Sequence, residues 1–473
     1  MELTDRMHLA GTSDPGSRRS RSWLVFGSAA TIVGVGALVA TQPKLALALA
    51  GAGALAGVLT LIARVPVAAT LVLATIAVVA VVDLPRQVAV GPATSYALIT
   101  VLLSTLLLVV SVSGYVLSAV RGTGLLFVPL YAFAGWAVLS MVWFRPSVGG
   151  AQNILVYAAF AALVPITAAA VVHGDLTEAT VRRAITYSIL VASGLYACSL
   201  ALGGIGGDDV IDSRSYALFG VIGVAWVAAH ARFGDRRQGL LAALCWCLIL
   251  LSLSRLAFAA AMLIVVAACL DLRTPARFVR SALLVGSVAA LAFVSMTSFG
   301  PMADRFAQGD VQSVGGGVSL NVSGRLALWS LTWDSYLDSP LVGKGAGSAE
   351  RILQVLEDQD HPHSDYLRVL HDLGVIGLAL LVASLLGLLV YAGRGLKPAR
   401  GGRAAVPLHL AAVLALVGLL AGMTTDNAIV YLFVVGPVAI IVGLSVGTRL
   451  RNEALPRSHQ SISNAFRMGV TRG

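Results

Sequence analysis

The sequence predicts an all-α, polytopic membrane protein, a transmembrane helical bundle of about 12–14 spans. Hydrophobic residues make up 58% of the chain, charged residues only 12%, and the mean hydropathy is +0.86. Soluble domains carry about 25% charged residues, so this chain has too little polar surface to be soluble at its length. The net charge of +10 is therefore attributed to cytoplasmic loops rather than to nucleic-acid binding.

Apolar runs long enough to cross a bilayer, which takes about 20 residues per helix, recur along the whole chain. The candidate spans are 23–41, 44–63, 65–84, 95–119, 124–143, 151–173, 184–203, 213–231, 238–253, 256–271, 281–298, 371–393, 407–424 and 429–447. A single helix over 238–271 would be about 50 Å long, longer than a bilayer core. Because basic loops flank that run on both sides, it is expected to cross twice, turning near Ser254 and Arg255.

Lysine and arginine are enriched in cytoplasmic loops of membrane proteins, and this rule predicts that both termini are cytoplasmic. With that orientation most lysines and arginines lie inside, and the longest segment between spans lies outside. The expected regions are a cytoplasmic tail (1–22), spans (23–298), a large extracytoplasmic loop with amphipathic helices (299–370), further spans (371–447) and a basic cytoplasmic tail (448–473).

The outer loop contains an amphipathic helical pattern over 323–339. Leu326, Trp329, Trp333 and Leu337 recur at the spacing of one helix face. Tryptophan is enriched where a helix meets the membrane–water interface. The sequence therefore predicts a helix lying at the outer surface of the membrane.

The stretch 361–377, HPHSDYLRVLHDLGVIG, gathers three of the eight histidines at the start of an apolar span. We expect a helix to begin near its proline, with His363 and His371 on one stripe two turns apart. Asp365 and Arg368 are at the spacing of a helical ion pair.

Three interpretations of these histidines are open. The first is ordinary capping of a helix at the interface. The second is a metal site, since H-x-H-x-D (361–365) occurs in zinc hydrolases, although those need further ligands on other segments. The third is that His363 is a general base, because a neutral imidazole near pH 7 can accept a proton from a hydroxyl.

Arginines on the outer side favour the third interpretation. Arg255 lies in the short turn between two apolar runs, Arg214 at a span entrance, and Arg325 at the start of the amphipathic helix, four residues before Trp329. Guanidinium groups bind phosphate in a bidentate fork. The alternative for each is an arginine that simply extends to the interface.

Four motifs occur in the C-terminal half: S-x-S-R (252–255), S-G-R-x-x-x-W (323–329), P-L-x-G-x-G (340–345) and H-S-x-Y-L followed by L-G-V-I-G-L (363–378). With these four motifs in this order, the chain resembles the O-antigen ligase and polymerase family of integral membrane glycosyltransferases. The resemblance implies an undecaprenyl-pyrophosphate-linked glycan donor, a glycan or lipid acceptor, and no cofactor, metal or nucleotide sugar.

The resemblance also implies roles for individual residues. Arg255 and Arg325 would hold the pyrophosphate and His363 would activate the acceptor hydroxyl. Arg214 is a weaker match, because the chain has SRSYALFG (213–220) where many members of the family carry G-x-F-x-N-P-N. The expected supporting residues are Trp329, His361, Asp365, Tyr366 and His371.

The sequence thus predicts a glycosyltransferase of cell-surface polysaccharide biosynthesis. It would be a multi-pass protein of the bacterial cytoplasmic membrane, in contact with the lipid bilayer, with its active site on the extracytoplasmic face. The alternatives are a peptidoglycan-type glycan polymerase and a polysaccharide transporter or flippase. Transporters carry ionisable residues in mid-membrane and often internal repeats, and the spans here carry almost no central charge.

Overall fold

The computed structural model describes residues 89–90, 93–94, 107, 111, 114–270, 274–307, 311–314, 318–321, 325–357, 361–397 and 405–454. The predicted N-terminal tail, the first three predicted spans, most of the fourth and most of the basic C-terminal tail lie outside these residues. The expected start of the amphipathic helix at Ser323 also lies outside them.

Apart from turns and short irregular segments, the described part of the chain is helical, with two short antiparallel strand pairs. The strands are β1 (Ala89–Val90) with β2 (Ala93–Thr94), and β3 (Val311–Val314) with β4 (Val318–Asn321). The helices are α1 (Gly114–Val120), α2 (Gly124–Leu139), α3 (Val148–His173), α4 (Glu178–Gly203), α5 (Ser213–Ala231), α6 (Arg236–Leu251), α7 (Arg255–Cys269), α8 (Pro275–Ser298), α9 (Gly300–Ala307), α10 (Arg325–Tyr336), α11 (Ser348–Glu357), α12 (Asp365–Arg394), α13 (Val406–Thr425) and α14 (Leu432–Ala454). Short 3₁₀ turns cover Arg121–Thr123, Ser140–Val142 and Ala428–Val430.

Seven helices of the described residues are long and apolar enough to cross a membrane. They are α2 with the turn that follows it, α3, α4, α8, α12, α13 and α14. The prediction of an all-α membrane protein with several spans is confirmed, whereas the predicted 12–14 spans are not: the predicted spans 213–231, 238–253 and 256–271 form α5, α6 and α7, which are not among these seven. The side on which each terminus lies remains a prediction. The expected break in 238–271 is found at residues 252–254, between α6 and α7.

The core of the bundle is built on α3 and α14, which pack against each other. Both are apolar on all sides and buried almost entirely, as expected of a helix without a polar face. Around them, α5 contacts α6, α7 and α13, and α12 contacts α2, α10 and α13. This packing brings the starts of α5, α7 and α12 and the end of α13 to one region.

Helix α12 begins later than the sequence indicated. It starts at Asp365, with Ser364 as N-cap and the Ser364 hydroxyl accepting from the Leu367 N–H at 3.5 Å. His363 has a φ of +52°, outside the range of a right-handed helix. The expected stripe through His363 and His371 was therefore wrong, because His363 precedes the helix.

A kink at Gly374 (φ +68°, ψ −172°) interrupts α12, and the P-L-x-G-x-G loop packs into it. The Val375 N–H donates to the Pro340 carbonyl at 2.9 Å. Gly343 lies so close that a Cβ there would be 2.4 Å from the Asp372 carbonyl carbon. Glycine at this position is required by the close approach of two backbones.

Candidate functional site

The predicted site centres on His363, in the short segment that leads into α12. Its Nδ1 lies 2.8 Å from a terminal nitrogen of Arg214, which belongs to the first turn of α5. The same Nδ1 lies 3.4 Å from the Asn427 side-chain nitrogen, just after α13. Three segments distant in sequence therefore meet at one imidazole nitrogen.

Arg214, although the weaker of the three motif matches, contacts His363 directly. Its Nε lies 3.1 and 3.0 Å from the two carboxylate oxygens of Asp426, and its terminal nitrogen also contacts that carboxylate. Asp212, two residues before Arg214 in the sequence, caps α5 by accepting from the Ser215 N–H at 2.6 Å. The guanidinium is thus directed into the site by a bidentate ion pair.

Two further arginines lie beside this pair. Arg325, the first residue of α10, donates to the Thr425 carbonyl at 2.8 Å. Burial lowers the pKa of Arg325, and the positive charges of Arg214 and Arg255 lower it further, while Asp426 opposes them. The structure therefore brings the three predicted arginines within electrostatic reach of one another.

The backbone is strained at two positions of this region. Among the described residues other than glycine, only Leu253 and His363 have positive φ, at 58° and 52°. Leu253 lies in the turn that presents Arg255 at the start of α7. Such conformations cost about 1–3 kcal/mol each and cluster at functional sites, which is consistent with a site assembled from these two turns.

The predicted supporting residues act on different parts of the site. Trp329 of α10 donates its indole N–H to the Pro362 carbonyl at 2.7 Å, so it holds the segment that carries His363. Tyr366 donates to the Leu420 carbonyl at 2.9 Å and ties α12 to α13. His361 is half-buried at the start of the same segment.

A buried network lies beneath the imidazole. Asp365 accepts from the Ile429 backbone N–H at 2.8 Å, and its other oxygen lies 3.7 Å from Arg368. Arg368 in turn donates to the side-chain oxygen of Asn427. All three side chains are buried, and charges buried in this way are stable only when paired.

His371 belongs to a separate cluster. Its Nε2 lies 3.0 Å from the Ser335 hydroxyl, and its Nδ1 lies 3.2 Å from Ser348 and 3.1 Å from Asp372. Asp372 also accepts two backbone N–H bonds around the start of α11, and Lys344 donates to Ser335 at 3.0 Å. This cluster joins α10, α11 and the P-L-x-G-x-G loop to α12.

The predicted apolar stripe of α10 faces outward in the structure. Trp333 and Leu337 are 47% and 56% exposed, and Leu326 and Trp329 are half-buried. The face packed against the protein is instead formed by Leu328, Thr332, Ser335 and Tyr336. Of the two hydroxyl side chains on this face, Ser335 contacts His371, whereas the Thr332 hydroxyl donates to the Leu328 carbonyl of the same helix.

The electrostatics of the site keep His363 neutral. Burial lowers its pKa to about 4, and the Arg214 and Arg325 charges act in the same direction, against Asp426. The imidazole is therefore uncharged at pH 7. A neutral imidazole beside a group of guanidiniums can exchange a proton while the arginines hold an anion.

Sequence reasoning missed Asp426 and Asn427. They follow the apolar helix α13 as the end of the run TTDN (424–427), and both are buried. Adjacent acid and amide side chains directly after a long apolar run are costly to bury unless they are paired. The position of these two polar residues directly after an apolar run was therefore the feature of the sequence that could have identified them as candidate site residues.

Comparison with known proteins agrees with the motifs. Residues 240–382 match the family model described as O-antigen ligase, which confirms the resemblance drawn from the sequence. Arg255, Arg325 and His363 lie inside the matched segment, whereas Arg214 and Asp426 lie outside it. No curated protein matches the chain.

Proposed function

We propose, from the similarity of residues 240–382 to O-antigen ligases, that the chain is a membrane glycosyltransferase. It transfers or polymerises glycan units carried on undecaprenyl pyrophosphate to an acceptor hydroxyl. The acceptor is a glycan or a lipid, and the reaction takes place at the extracytoplasmic face of the bacterial cytoplasmic membrane. Its product belongs to a cell-surface polysaccharide.

The observation that carries this proposal is the convergence of Arg214, Arg255 and Arg325 beside a neutral His363. Asp426 pairs with Arg214 and also acts on Arg325, whose charged form is disfavoured by the neighbouring charges of Arg214 and Arg255, so several positive charges lie close together. A pyrophosphate supplies several oxygens for bidentate arginine contacts, so a lipid pyrophosphate suits the site better than a neutral ligand does.

In the reaction, the acceptor oxygen attacks the anomeric carbon of the donor sugar. The bond from that carbon to the pyrophosphate oxygen breaks, and its electron pair leaves with the lipid pyrophosphate. The arginines stabilise this developing negative charge. His363 takes the proton released by the acceptor hydroxyl.

The position of the site relative to the bilayer also supports the proposal. His363 directly precedes α12, and Arg325 begins α10, which lies against α12. A site at the end of a span lets a membrane-held lipid pyrophosphate and a water-soluble hydroxyl meet. The orientation expected from the basic loops puts this end outside the cell.

The proposal is tested by complementing a strain that lacks the chain. His363→Ala and Arg325→Ala are expected to abolish the surface polymer and to cause lipid-linked units to accumulate. His173→Ala and Arg351→Ala, which change exposed residues of the same types elsewhere, serve as matched controls and are expected to support normal polymer.

Protein levels are compared by blot for all variants. Normal polymer from His363→Ala at a normal protein level would show that His363 is not the base. Accumulation of lipid-linked units on the cytoplasmic side, rather than outside, would favour a flippase instead.

A further inference from the structure

Two hydrogen-bond donors converge on one nitrogen of His363. Arg214 approaches Nδ1 at 2.8 Å and the Asn427 side-chain nitrogen approaches it at 3.4 Å. A guanidinium has N–H donors and no acceptor, and it does not lose its proton in proteins. Nδ1 must therefore accept in the Arg214 contact.

The orientation of the Asn427 amide supports the same assignment. The Asn427 side-chain oxygen accepts from Arg368, which is itself paired with Asp365. The amide nitrogen is left to face His363, and an amide nitrogen only donates. Both neighbours of Nδ1 thus require it to be unprotonated.

This assignment fixes the tautomer of the ring. A neutral imidazole carries one proton, and with Nδ1 accepting, that proton lies on Nε2. Nε2 therefore cannot accept a second proton from an acceptor hydroxyl in this state. The lone pair that could accept this proton is on Nδ1, and it is already hydrogen-bonded to Arg214.

We infer that Arg214 is a positioning residue that keeps His363 inactive until the anionic donor binds. The inference rests on the function proposed above. Asp426 holds Arg214 over Nδ1, and the pyrophosphate of the donor competes with Asp426 and His363 for the same guanidinium. When Arg214 turns to the pyrophosphate, Nδ1 loses its hydrogen bond and becomes available as the base.

The consequence is an order of events built into the site. The base nitrogen is released only after the donor has bound, so an acceptor or a water molecule is not activated beforehand. The positive charges of Arg214, Arg255 and Arg325 lie within electrostatic reach of one another, and they attract the pyrophosphate to the place where Arg214 can reach it. Specific binding of one substrate is thereby coupled to activation of the other.

The test is nitrogen NMR on the full chain in lipid bilayers, with ¹⁵N-labelled histidine and the His363 signals assigned by comparison with His363→Gln. In the resting protein we expect an unprotonated, hydrogen-bonded Nδ1 and a protonated Nε2. Titration with inorganic pyrophosphate is expected to move the Nδ1 signal towards that of a nitrogen without a hydrogen bond.

A variant gives the direction of the coupling. Asp426→Asn loosens the hold on Arg214, so the Nδ1 change should occur at a pyrophosphate concentration about tenfold lower, the scale of one charge-assisted hydrogen bond. Asp334→Asn, the same substitution at an exposed residue of α10, should leave the titration unchanged.

The outcomes separate the inference from the proposed function. A resting protein with a protonated Nδ1 overturns the inference. Saturable pyrophosphate effects on other signals with no change at Nδ1 also overturn it, while the pyrophosphate site itself stands. The absence of any saturable effect of pyrophosphate overturns both.

Discussion

The acidity of His363 gives a quantitative prediction for the pH dependence of the reaction. The pKa of this imidazole is lowered to about 4, first by burial and then by Arg214 and Arg325. An ordinary histidine has a pKa of about 6.5. Only the neutral ring can act as the base, so a lower pKa preserves the active form at lower pH.

The size of the effect follows from the two pKa values. At pH 5 a group with a pKa of about 4 is ~90% neutral, whereas one with a pKa of about 6.5 is only ~3% neutral. Activity of the free enzyme at pH 5 should therefore be about 30-fold higher than an unperturbed histidine would allow. As the pH falls, the loss should be centred near pH 4.

Donor binding should change this behaviour. The negative charges of a pyrophosphate offset the arginine charges that disfavour imidazolium, so the pKa of His363 should rise in the complex. The acid limb of kcat/KM reports the free enzyme and that of kcat the substrate complex. We expect the kcat limb at a higher pH than the kcat/KM limb.

The assay is transfer of glycan from purified lipid-linked donor by the chain in liposomes, with donor concentration varied at each pH between about 4 and 8. An acid limb of kcat/KM near pH 6.5 would refute the reasoning from burial and arginine charge. A kcat limb at a lower pH than the kcat/KM limb would refute the proposed effect of the donor.

Two further predictions concern the loop and cluster that support α12. Gly343→Ala should lower the unfolding temperature sharply, since its Cβ would lie 2.4 Å from the Asp372 carbonyl carbon at a φ of +73°, and the φ alone costs about 1–2 kcal/mol. Gly393→Ala, with nothing within 4 Å of its Cβ, should leave the unfolding temperature unchanged or raise it; equal effects would contradict the packing argument. His371→Ala should destabilise by about 2–3 kcal/mol by leaving buried partners unsatisfied, as measured by thermal unfolding in detergent, yet retain donor binding. Loss of donor binding at normal stability would instead place His371 in the site.

The part of the fold that depends on local composition could be predicted from the sequence. Apolar runs predicted the helices α2 to α8 and α12 to α14, and the length of 238–271 predicted the turn before Arg255. Length and hydropathy act on each segment by itself, so no knowledge of its neighbours is needed. The start of α12 was missed because Ser364, and not the residues before Pro362, caps the helix.

The candidate site was predictable as a set of residue types but not as an arrangement. Arg255, Arg325 and His363 could be chosen from motifs, because an arginine or histidine is conspicuous in an apolar chain. The ion-pair partner of Arg214 could not be predicted. Asp212 is the nearer carboxylate in the sequence, but the folded bundle places Asp426 against Arg214. The outward face of α10 was likewise decided by packing against α12.

By itself the sequence determined that this chain is a helical membrane protein with arginines and a histidine near the ends of its apolar helices. Only the tertiary structure decided which nitrogen of His363 is occupied, and by which guanidinium. The physical reason is that hydrophobic periodicity is a property of one segment, whereas a hydrogen-bond direction and an ion pair depend on groups that α5, α12 and α13 bring together only when they pack.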